Sequence, residues 1–238
     1  MIMIETKKRR VGIVVNGELP GVERLQELWQ SVDLVITTDG AANGLVAIGC
    51  IPHVVVGDLD SIEPQVCASL EQLSEVRHVA CQESTDLEKA FRLALERGAE
   101  EIVVSGIGGG RLDHAITNMA VLHRFCREIP IRLIEPSGYG VFLTATGRDE
   151  TLSFSGPIGR IVSLLPIGTV EQVYTEGLRY PLRGEALVWG VREGQSNEAV
   201  AEQITLSIRR GVLLVFSDLA IKPTTATRAD GGTPNYPK

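Results

Sequence analysis

Cysteine is scarce in this sequence, long apolar runs are absent, and basic residues are fewer than acidic ones. The four cysteines, at 50, 67, 81 and 126, form no C-x-x-C pair in 238 residues. Scattered cysteines predict reduced thiols in a cytoplasmic protein and argue against a disulfide framework. No apolar run approaches the roughly 20 residues of a membrane span. With 23 Lys and Arg against 30 Asp and Glu, neither nucleic acid nor a membrane is an expected partner.

Hydrophobic residues make up 44% of the chain, which is enough for a sizeable core. Up to about residue 140, short apolar runs alternate with amphipathic stretches, the clearest of which predicts a helix over 85–99. Near-continuous apolar strands separated by helices are typical of a parallel sheet covered on both faces. The predicted strands are 11–17, 33–41, 53–58, 76–81, 101–110 and 131–135.

The pattern changes after residue 140, where short strands follow one another with turn residues between them and no helical spacing. This predicts an α/β domain over 1–140 followed by an all-β sandwich or barrel-like domain over 141–221. The segment 222–238 is polar and rich in Pro, Gly and Thr. Such a composition buries little apolar surface, so this segment is expected to be a flexible tail.

Polar residues follow the predicted parallel strands at the point where each strand ends. In an open parallel sheet, ligands bind outside the carboxyl ends of the strands, so these residues are expected at one edge. Five carboxylates converge there, which is a stronger signal than any one motif. They are Asp39, Asp58, Asp60, Asp86 and Asp113.

Asp58 and Asp60 follow the apolar run "HVVV" with one residue between them. In an extended chain both side chains leave on one face, where two carboxylates repel unless a cation lies between them. Mg²⁺ prefers such hard oxygen ligands together with substrate phosphates. The alternative is a capping box over 60–63, in which Asp60 caps the next helix. Both roles stay open for Asp60, whereas the cap does not explain Asp58.

Two further stretches join strands to helices. In "STDLEKA", Thr85 and Glu88 form a capping box, Asp86 suits the helix dipole, and Lys89 is either a solvated charge or a group that reaches a phosphate. In "GIGGGRLDH", glycines allow close backbone approach to an anion at the helix start, although neither G-x-G-x-x-G nor a Walker A sequence is present. The alternative for this stretch is an ordinary glycine-rich turn. Arg111 suits bidentate phosphate contact, and Asp113 is either a functional carboxylate at the sheet edge or a simple cap of the helix.

The second half offers fewer candidates. Tyr180 is by default a core aromatic, Ser196-Asn197 an ordinary turn, and Trp189 a core residue. These interpretations carry no chemistry by themselves.

In combination, "DGAANGL", "GDLDSI", "STDLEKA" and "GGGRLDHAITN" resemble the thiamine pyrophosphokinase (thiamine diphosphokinase) family, with a thinner match through "VSLLPIG", "GLRYPL" and "GQSNE". The resemblance covers about 11–216. It implies an α/β nucleotide-binding domain and a β-sandwich domain. It also implies transfer of a diphosphoryl group from ATP to the hydroxyethyl group of thiamine, giving thiamine diphosphate and AMP. The family works as a homodimer with sites built across the subunit interface.

The resemblance also implies roles for individual residues. Asp58, Asp60 and Asp86 would hold Mg²⁺ and act in catalysis with Arg111. The other implied nucleotide and phosphate contacts are Asn16, Asp39, Asn43, Gln82, Thr85, Lys89 and Asp113. Thiamine would be held by Tyr180, Ser196 and Asn197. This chain departs from the family pattern at Ala41, where a second glycine is frequent, and at Tyr180, where tryptophan is frequent.

Two rival functions remain open at this point. The first is a diphosphokinase that acts on another heterocyclic alcohol such as a pterin, because the α/β half would look the same. The second is a non-catalytic regulator that binds a nucleotide or thiamine. A complete set of carboxylates at one edge argues against a pure binder of anions.

Overall fold

The structure is a computed structural model that describes residues 9–226. The chain divides into two compact units, with the boundary between Gly140 and Val141. In the first unit strands and helices alternate. In chain order they are β1 Arg10–Val14, α1 Val22–Ser31, β2 Leu34–Thr38, α2 Asp39–Ala47, β3 Val54–Gly57, α3 Pro64–Leu70, β4 Glu75–His78, α4 Asp86–Glu96, β5 Glu101–Ser105, α5 Leu112–Phe125 and β6 Ile131–Glu135.

The strands of the first unit form a parallel sheet in the order β6-β5-β1-β2-β3-β4. Ile13 and Val14 are neighbours in β1 and are both fully buried. Because successive strand residues point to opposite faces, both faces of the sheet are covered. The parallel α/β fold predicted from the sequence is therefore confirmed.

The sheet has its topological switch point between β1 and β5. Strands β2, β3 and β4 extend from one side of β1, and the chain then returns to place β5 and β6 on the other. Connections from β1 and β5 therefore diverge, which opens a crevice at their carboxyl ends. The loops over 15–21 and 106–111 lie at this point.

Helix α4 brings the chain back from the edge strand β4. It packs against β3, β2 and β1 and against α5, where the rings of Phe91 and Phe125 stack with centroids 4.5 Å apart. The helix buries a continuous apolar face that includes Leu87 and Leu93. This packing sets the N-terminal end of α4 beside the carboxyl ends of the central strands.

The second unit is all-β. Its strands are β7 Gly138–Ser155, β8 Ile161–Pro166, β9 Thr169–Glu176, β10 Arg183–Val188, β11 Gly194–Glu198, β12 Gln203–Ser217 and β13 Pro223–Ala226. They run in the order β10-β9-β12-β7, with β8 pairing β11 and β12, and β13 pairing β7. Alternate residues of β7, β8, β9 and β12 share one apolar core that includes Phe154, Leu164 and Ile208. The predicted strand-rich second half is confirmed.

Strand β12 changes partner midway. Its first half pairs with β9 and its second half with β8. The change falls at Gly211, which has a φ of 110° and lies so close to the Thr169 carbonyl that a Cβ there would collide with it. Only glycine adopts this backbone conformation without strain.

Two expectations for the second half need correction. Residues 223–226, predicted within a flexible tail, form β13 against β7, because β7 offers unpaired backbone groups that β13 satisfies. The rest of the tail, 227–238, lies outside the described residues. Trp189 is 60% exposed rather than part of the core, since it follows β10 at a turn.

No helix within residues 9–226 is long and apolar enough to cross a membrane. No disulfide links the four cysteines, all of which lie in the described part of the chain.

Candidate active site

Three carboxylates meet at the carboxyl ends of β2 and β3. Asp39, Asp58 and Asp60 each offer an oxygen, and these oxygens lie within 4.8 Å of one another. Asp39 is the first residue of α2, directly after β2, and Asp58 follows the last residue of β3. The convergence predicted for adjacent strand ends is therefore present for these three.

Asp39 is the buried member of this carboxylate cluster, being only 2% exposed. Its Oδ1 accepts the Gly40 N–H at 2.7 Å, while its Oδ2 is buried without a hydrogen-bond partner among the described residues. Burial, together with the nearby charge of Asp86, raises the pKa of Asp39. Such an oxygen is costly to ionise alone and favourable beside a cation.

Glycines allow Asp39 to approach its neighbours. A Cβ on Gly57 would lie 2.7 Å from Cγ of Asp39, and one on Gly40 would collide with the Asn16 side chain. The glycines of "DGAAN" and "VVVGD" therefore serve close packing of polar side chains. They also bring Asn16, at the end of β1, against the start of α2.

The loop over 58–63 is held by Asn43 of α2. The Asn43 Nδ2 donates to the Ser61 carbonyl at 2.9 Å, and its Oδ1 accepts the Glu63 N–H at 2.9 Å. Leu59 has a φ of 65°, and the chain does not turn into α3 until Pro64, with Glu63 as N-cap. Asp60 consequently does not cap α3, so the capping alternative is wrong. Its Oδ1 accepts the Ser61 hydroxyl at 2.8 Å.

Asp58 is joined to the segment that follows β4. The Gln82 Nε2 donates to Asp58 Oδ2 at 2.9 Å. Although burial acts in the opposite direction, this bond and the Asp60 N–H lower the pKa of Asp58. The carboxylate is thus ionised at neutral pH, and the bond from Gln82 fixes one of its oxygens.

The N-terminal end of α4 supplies an ion pair between a buried lysine and a partly exposed aspartate. Thr85 is the N-cap and accepts the Glu88 N–H at 3.2 Å, as predicted. The Lys89 Nζ donates to Asp86 Oδ1 at 2.8 Å, and Lys89 is only 6% exposed. The alternative of a solvated lysine is therefore wrong. Although burial acts in the opposite direction, the charges of Asp86, Asp58 and Asp39 raise the pKa of Lys89.

Asp86 does not belong to the set of three that lies within 4.8 Å in residues 9–226. Its charge acts on both Asp39 and Lys89, so it lies beside that set. Glu88 does not close the predicted capping box. Its carboxylate instead binds Arg92 at 2.7 Å and Arg124 of α5 at 2.5 Å.

The glycine-rich loop over 106–110 packs against the loop that follows β1. A Cβ on Gly17 would collide with the carbonyls of Gly106 and Gly108, and the Glu18 N–H donates to the Gly108 carbonyl at 2.7 Å. Gly106, Gly109 and Gly110 have positive φ. This backbone conformation requires glycine, which explains the composition of the loop.

Arg111 and Asp113 lie at the exposed start of α5. Arg111 is the N-cap residue, and its guanidinium binds both oxygens of Asp113 at 3.1 and 2.6 Å. This ion pair lowers the pKa of Asp113 to about 2. Asp113 therefore lies in the first turn rather than at the cap position, and it is not in the carboxylate cluster formed by described residues.

The second unit has a small cavity of about 200 Å³ lined by residues that include Tyr180 and Asn197. Tyr180 is 69% exposed, so the alternative of a core tyrosine is wrong. Asn197 is buried and holds the Tyr180 backbone on both sides, accepting its N–H at 3.1 Å and donating to its carbonyl at 2.9 Å. Ser196 has a φ of 55°, and its N–H donates to Ser163.

Family models match most of the chain. The thiamin pyrophosphokinase catalytic domain matches residues 25–133, and the thiamin pyrophosphokinase vitamin B1 binding domain matches residues 150–213. The chain belongs to the thiamin pyrophosphokinase family. The family resemblance inferred from its motifs is confirmed.

Relatives in the thiamin pyrophosphokinase family match over nearly their whole length. Thiamin pyrophosphokinase 1 of Caenorhabditis elegans is 29% identical over 90% of this chain and 91% of its own. Thiamine pyrophosphokinase of Bacillus subtilis is 29% identical over 87% of this chain and 98% of its own. A solved structure of the Bacillus subtilis protein superposes with a TM-score of 0.73 at 26% identity, over 88% and 98% of the two chains.

Two groups near the glycine-rich loop of this thiamin pyrophosphokinase family member were not predicted as site residues. Asn118 of α5 is buried and donates to the Ile107 carbonyl at 3.0 Å. Glu135, the last residue of β6, is buried and accepts the Ile107 N–H at 3.2 Å. The available signal was the acid that ends the apolar run "IRLIE", which resembles the signal that pointed to Asp58.

Proposed function

We propose that this protein is a Mg²⁺-dependent thiamine diphosphokinase, which transfers a diphosphoryl group from ATP to the thiamine hydroxyl and releases AMP. The observation that carries the proposal is the set of three carboxylates at the ends of β2 and β3, within a chain that matches both domains of the family. An acidic set of this kind suits a metal–polyphosphate complex better than a free anion.

The residues present fit a magnesium ion. The unpartnered, buried Oδ2 of Asp39 lies in a group whose other members, Asp58 and Asp60, each offer an oxygen within 4.8 Å. Asp39, Asp58 and Asp60 would hold the ion, with Asp86 beside them. A bound Mg²⁺ would offset the negative charge of the phosphate groups.

The protein's own residues position ATP. Lys89, buried against Asp86, supplies a fixed positive charge for the transferred group. The glycine-rich loop offers backbone N–H groups at the start of α5. The Arg111 guanidinium suits bidentate contact with a phosphate when its ion pair with Asp113 is broken. Asn16, Gln82 and Thr85 lie around the same strand ends, while Asn43 orients the loop that carries Asp58 and Asp60.

The reaction follows from this positioning. The thiamine hydroxyl oxygen forms a bond to the β-phosphorus, and the bond from that phosphorus to the oxygen it shares with the α-phosphorus breaks. AMP leaves in line with that oxygen, and the hydroxyl proton passes to solvent water or to an aspartate of the carboxylate cluster. Such transfer depends on alignment and charge stabilisation more than on covalent help from the protein, so Lys89 and Arg111 contribute by stabilising charge.

Thiamine binding is assigned to the second unit. The exposed ring of Tyr180 offers a face for the cationic thiazolium, and its backbone is fixed by Asn197. Ser196 lies next to Asn197 in β11. The proposal includes a homodimer with sites across the subunit interface. It also includes a cytoplasmic location, where the cysteines stay reduced.

A product assay tests this function. The protein is incubated with ATP, Mg²⁺ and thiamine, and AMP and thiamine diphosphate are measured. Thiamine-dependent formation of both in equal amounts supports the proposal, whereas ADP would indicate single phosphoryl transfer. AMP formed only with a pterin alcohol would identify the rival substrate. Binding of nucleotide or thiamine without any turnover would identify a regulator and overturn the proposal.

A matched pair of variants tests the metal assignment. Asp58→Asn removes one charge from the carboxylate cluster, whereas Asp149→Asn removes one from an exposed pair with Arg209 in the second unit. Asp58→Asn is expected to lower turnover by about a hundredfold and to raise the Mg²⁺ requirement. Near-normal turnover with unchanged Mg²⁺ dependence would show that Asp58 does not hold the metal.

A further inference from the structure

One peptide of the glycine-rich loop is held on both sides by buried side chains. The Ile107 N–H donates to Glu135 Oε1 at 3.2 Å, and the Ile107 carbonyl accepts from Asn118 Nδ2 at 3.0 Å. Glu135 ends β6 and Asn118 lies on α5. The two side chains thus fix the plane of this peptide from two different elements.

The loop has little else to hold its shape. Gly106 and Gly108–Gly110 have no side chains to pack, and three of these four glycines have positive φ. Glycine has the largest conformational freedom to lose, so a loop of this composition needs external hydrogen bonds to keep one conformation. The bonds to Glu135, Asn118 and the Glu18 N–H supply them.

Glu135 is an unusual choice for this place, because it is only 7% exposed and a buried acid is costly to ionise. Burial raises the pKa of Glu135 to about 7. The N–H groups of Ile107, Gly106 and Gly108 oppose that rise, and the charge of Glu18 adds to it. On the α1 side, the Arg24 guanidinium donates to the backbone carbonyls of residues 135 and 136.

We propose that Glu135 is a positioning residue for ATP: by binding the N–H groups at 106–108 it fixes the loop, so that the N–H groups of Gly109 and Gly110 face the phosphates. The inference rests on the proposed function, since it takes this loop as the phosphate-binding segment. Glu135 itself is buried beneath the loop and acts through it, so it is not a catalytic residue.

The protonation state of Glu135 then sets how firmly the loop is held. A hydrogen bond to a carboxylate is stronger than one to a neutral carboxyl group. ATP affinity is therefore expected to weaken as the pH falls through about 7, the value to which the pKa of Glu135 is raised. A glutamine at this position keeps an acceptor for the Ile107 N–H but cannot ionise.

The test uses Glu135→Ala, Glu135→Gln and, as a matched control, Glu100→Gln, which makes the same change at an exposed acid before β5. The dissociation constant for ATP is measured by calorimetry without thiamine between about pH 6 and about pH 8.5. We expect Glu135→Ala to weaken ATP binding about tenfold near pH 8. Glu135→Gln should bind about three- to fivefold more weakly there, equal the unaltered protein near pH 6, and lack its pH step.

Kinetics and hydrogen exchange separate positioning from a general loss of structure. The KM for ATP should follow the dissociation constant, while the KM for thiamine stays within about twofold. In the protein without ligand, amides of residues 106–110 should exchange about tenfold faster in Glu135→Ala, with exchange in β1 and β5 unchanged.

Several outcomes would overturn the inference. Normal ATP affinity in Glu135→Ala, or a pH step of full size in Glu135→Gln, would show that the loop does not depend on this carboxylate. ATP binding that tightens at low pH would show that the charge repels ATP instead of serving it. The proposed function has its own test, which it fails if no thiamine-dependent AMP is formed. ATP binding and hydrogen exchange of the loop can be measured whether or not AMP is formed. If Glu135→Ala does not fold, Glu135→Gln gives the same decision through its pH profile.

Discussion

Lys89 lies buried against Asp86, with its Nζ 2.8 Å from the Asp86 Oδ1. Both residues lie at the N-terminal end of α4. The pair stands beside Asp39 and Asp58, whose charges also act on the lysine. A cation in the midst of carboxylates is held in place before any phosphate arrives. This arrangement supplies preorganised charge, which is the main source of stabilisation in phosphoryl-type transfer.

Lys89→Met should therefore lower kcat/KM by about a hundredfold, with part of the loss in the KM for ATP. Arg97→Met removes a cation from the other end of α4, where Arg97 binds Glu75, and should change kcat/KM by less than about twofold. Steady-state kinetics with varied ATP measure both. Equal losses in the two variants would mean that Lys89 serves the helix and not the substrate.

Asp39→Asn should make the metal-free protein more stable. The folded-state pKa of Asp39 is raised, so the ionised carboxylate destabilises the folded protein. This destabilisation is complete at pH values above the raised pKa and disappears below the ordinary value near 3.8. Removing the charge is expected to raise Tm by about 2–4 °C at neutral pH, with the gain vanishing in acid. Thermal melts after chelation, at several pH values, measure this.

The same variant should lose its response to magnesium. A ligand that binds only the folded state raises Tm with its concentration, so Mg²⁺ should stabilise the unaltered protein and leave Asp39→Asn nearly unaffected. An equal magnesium shift in both proteins would remove Asp39 from the metal site.

Tyr180→Ala should raise the KM for thiamine about tenfold, because it removes the aromatic face offered to the thiazolium cation. The KM for ATP and Tm should hardly change, since the ring is largely exposed. Tyr180→Trp should restore thiamine binding. Trp189→Ala removes another exposed aromatic residue of the second unit, and a thiamine defect of the same size there would contradict a specific role for Tyr180.

Glu88→Gln should destabilise the first unit by about 1–3 kcal/mol, because Glu88 joins α4 to α5 through Arg124 and also binds Arg92. Although burial acts in the opposite direction, these partners lower the pKa of Glu88. The stabilisation is therefore complete above the ordinary pKa near 4.5 and is lost as the pH falls through the lowered value. Urea unfolding measures the free energy of unfolding of Glu88→Gln and of a control, Glu96→Gln, which changes an exposed acid of the same helix. The control should lose no more than about 0.5 kcal/mol.

Much of the site could be predicted because parallel strands end at one edge. Asp39 and Asp58 follow the adjacent strands β2 and β3, and the rule for strand ends was enough to bring them together. The rule fails for Asp113, which follows a glycine loop and turns away to pair with Arg111. The rule also does not predict that Asp39, rather than Asp86, has an oxygen within 4.8 Å of oxygens of Asp58 and Asp60.

The remaining differences depend on contacts distant in sequence. Lys89 has the pattern of a surface lysine, and only the packing of α4 across β1, β2 and β3 buries it. Asp60 precedes a helix start in sequence, but the left-handed conformation at Leu59 delays that helix to Pro64. Tyr180 is exposed because Asn197 holds its backbone at the surface. Local propensity carries no information on any of these.

The return of α4 from the edge strand to the middle of the sheet has a consequence for folding. Asp86 and Lys89 reach Asp39 only after β1 to β4 have formed and the helix has crossed back over three strands. Contacts between distant parts of a chain form late, because the entropy cost of closing the loop comes before the contacts can stabilise the fold. During synthesis, the three carboxylates and their lysine should therefore assemble after the first four strands but before β5, which pairs with β1 across a longer stretch of chain. A chain truncated before α4 would carry the metal ligands of β2 and β3 without the cation that completes them.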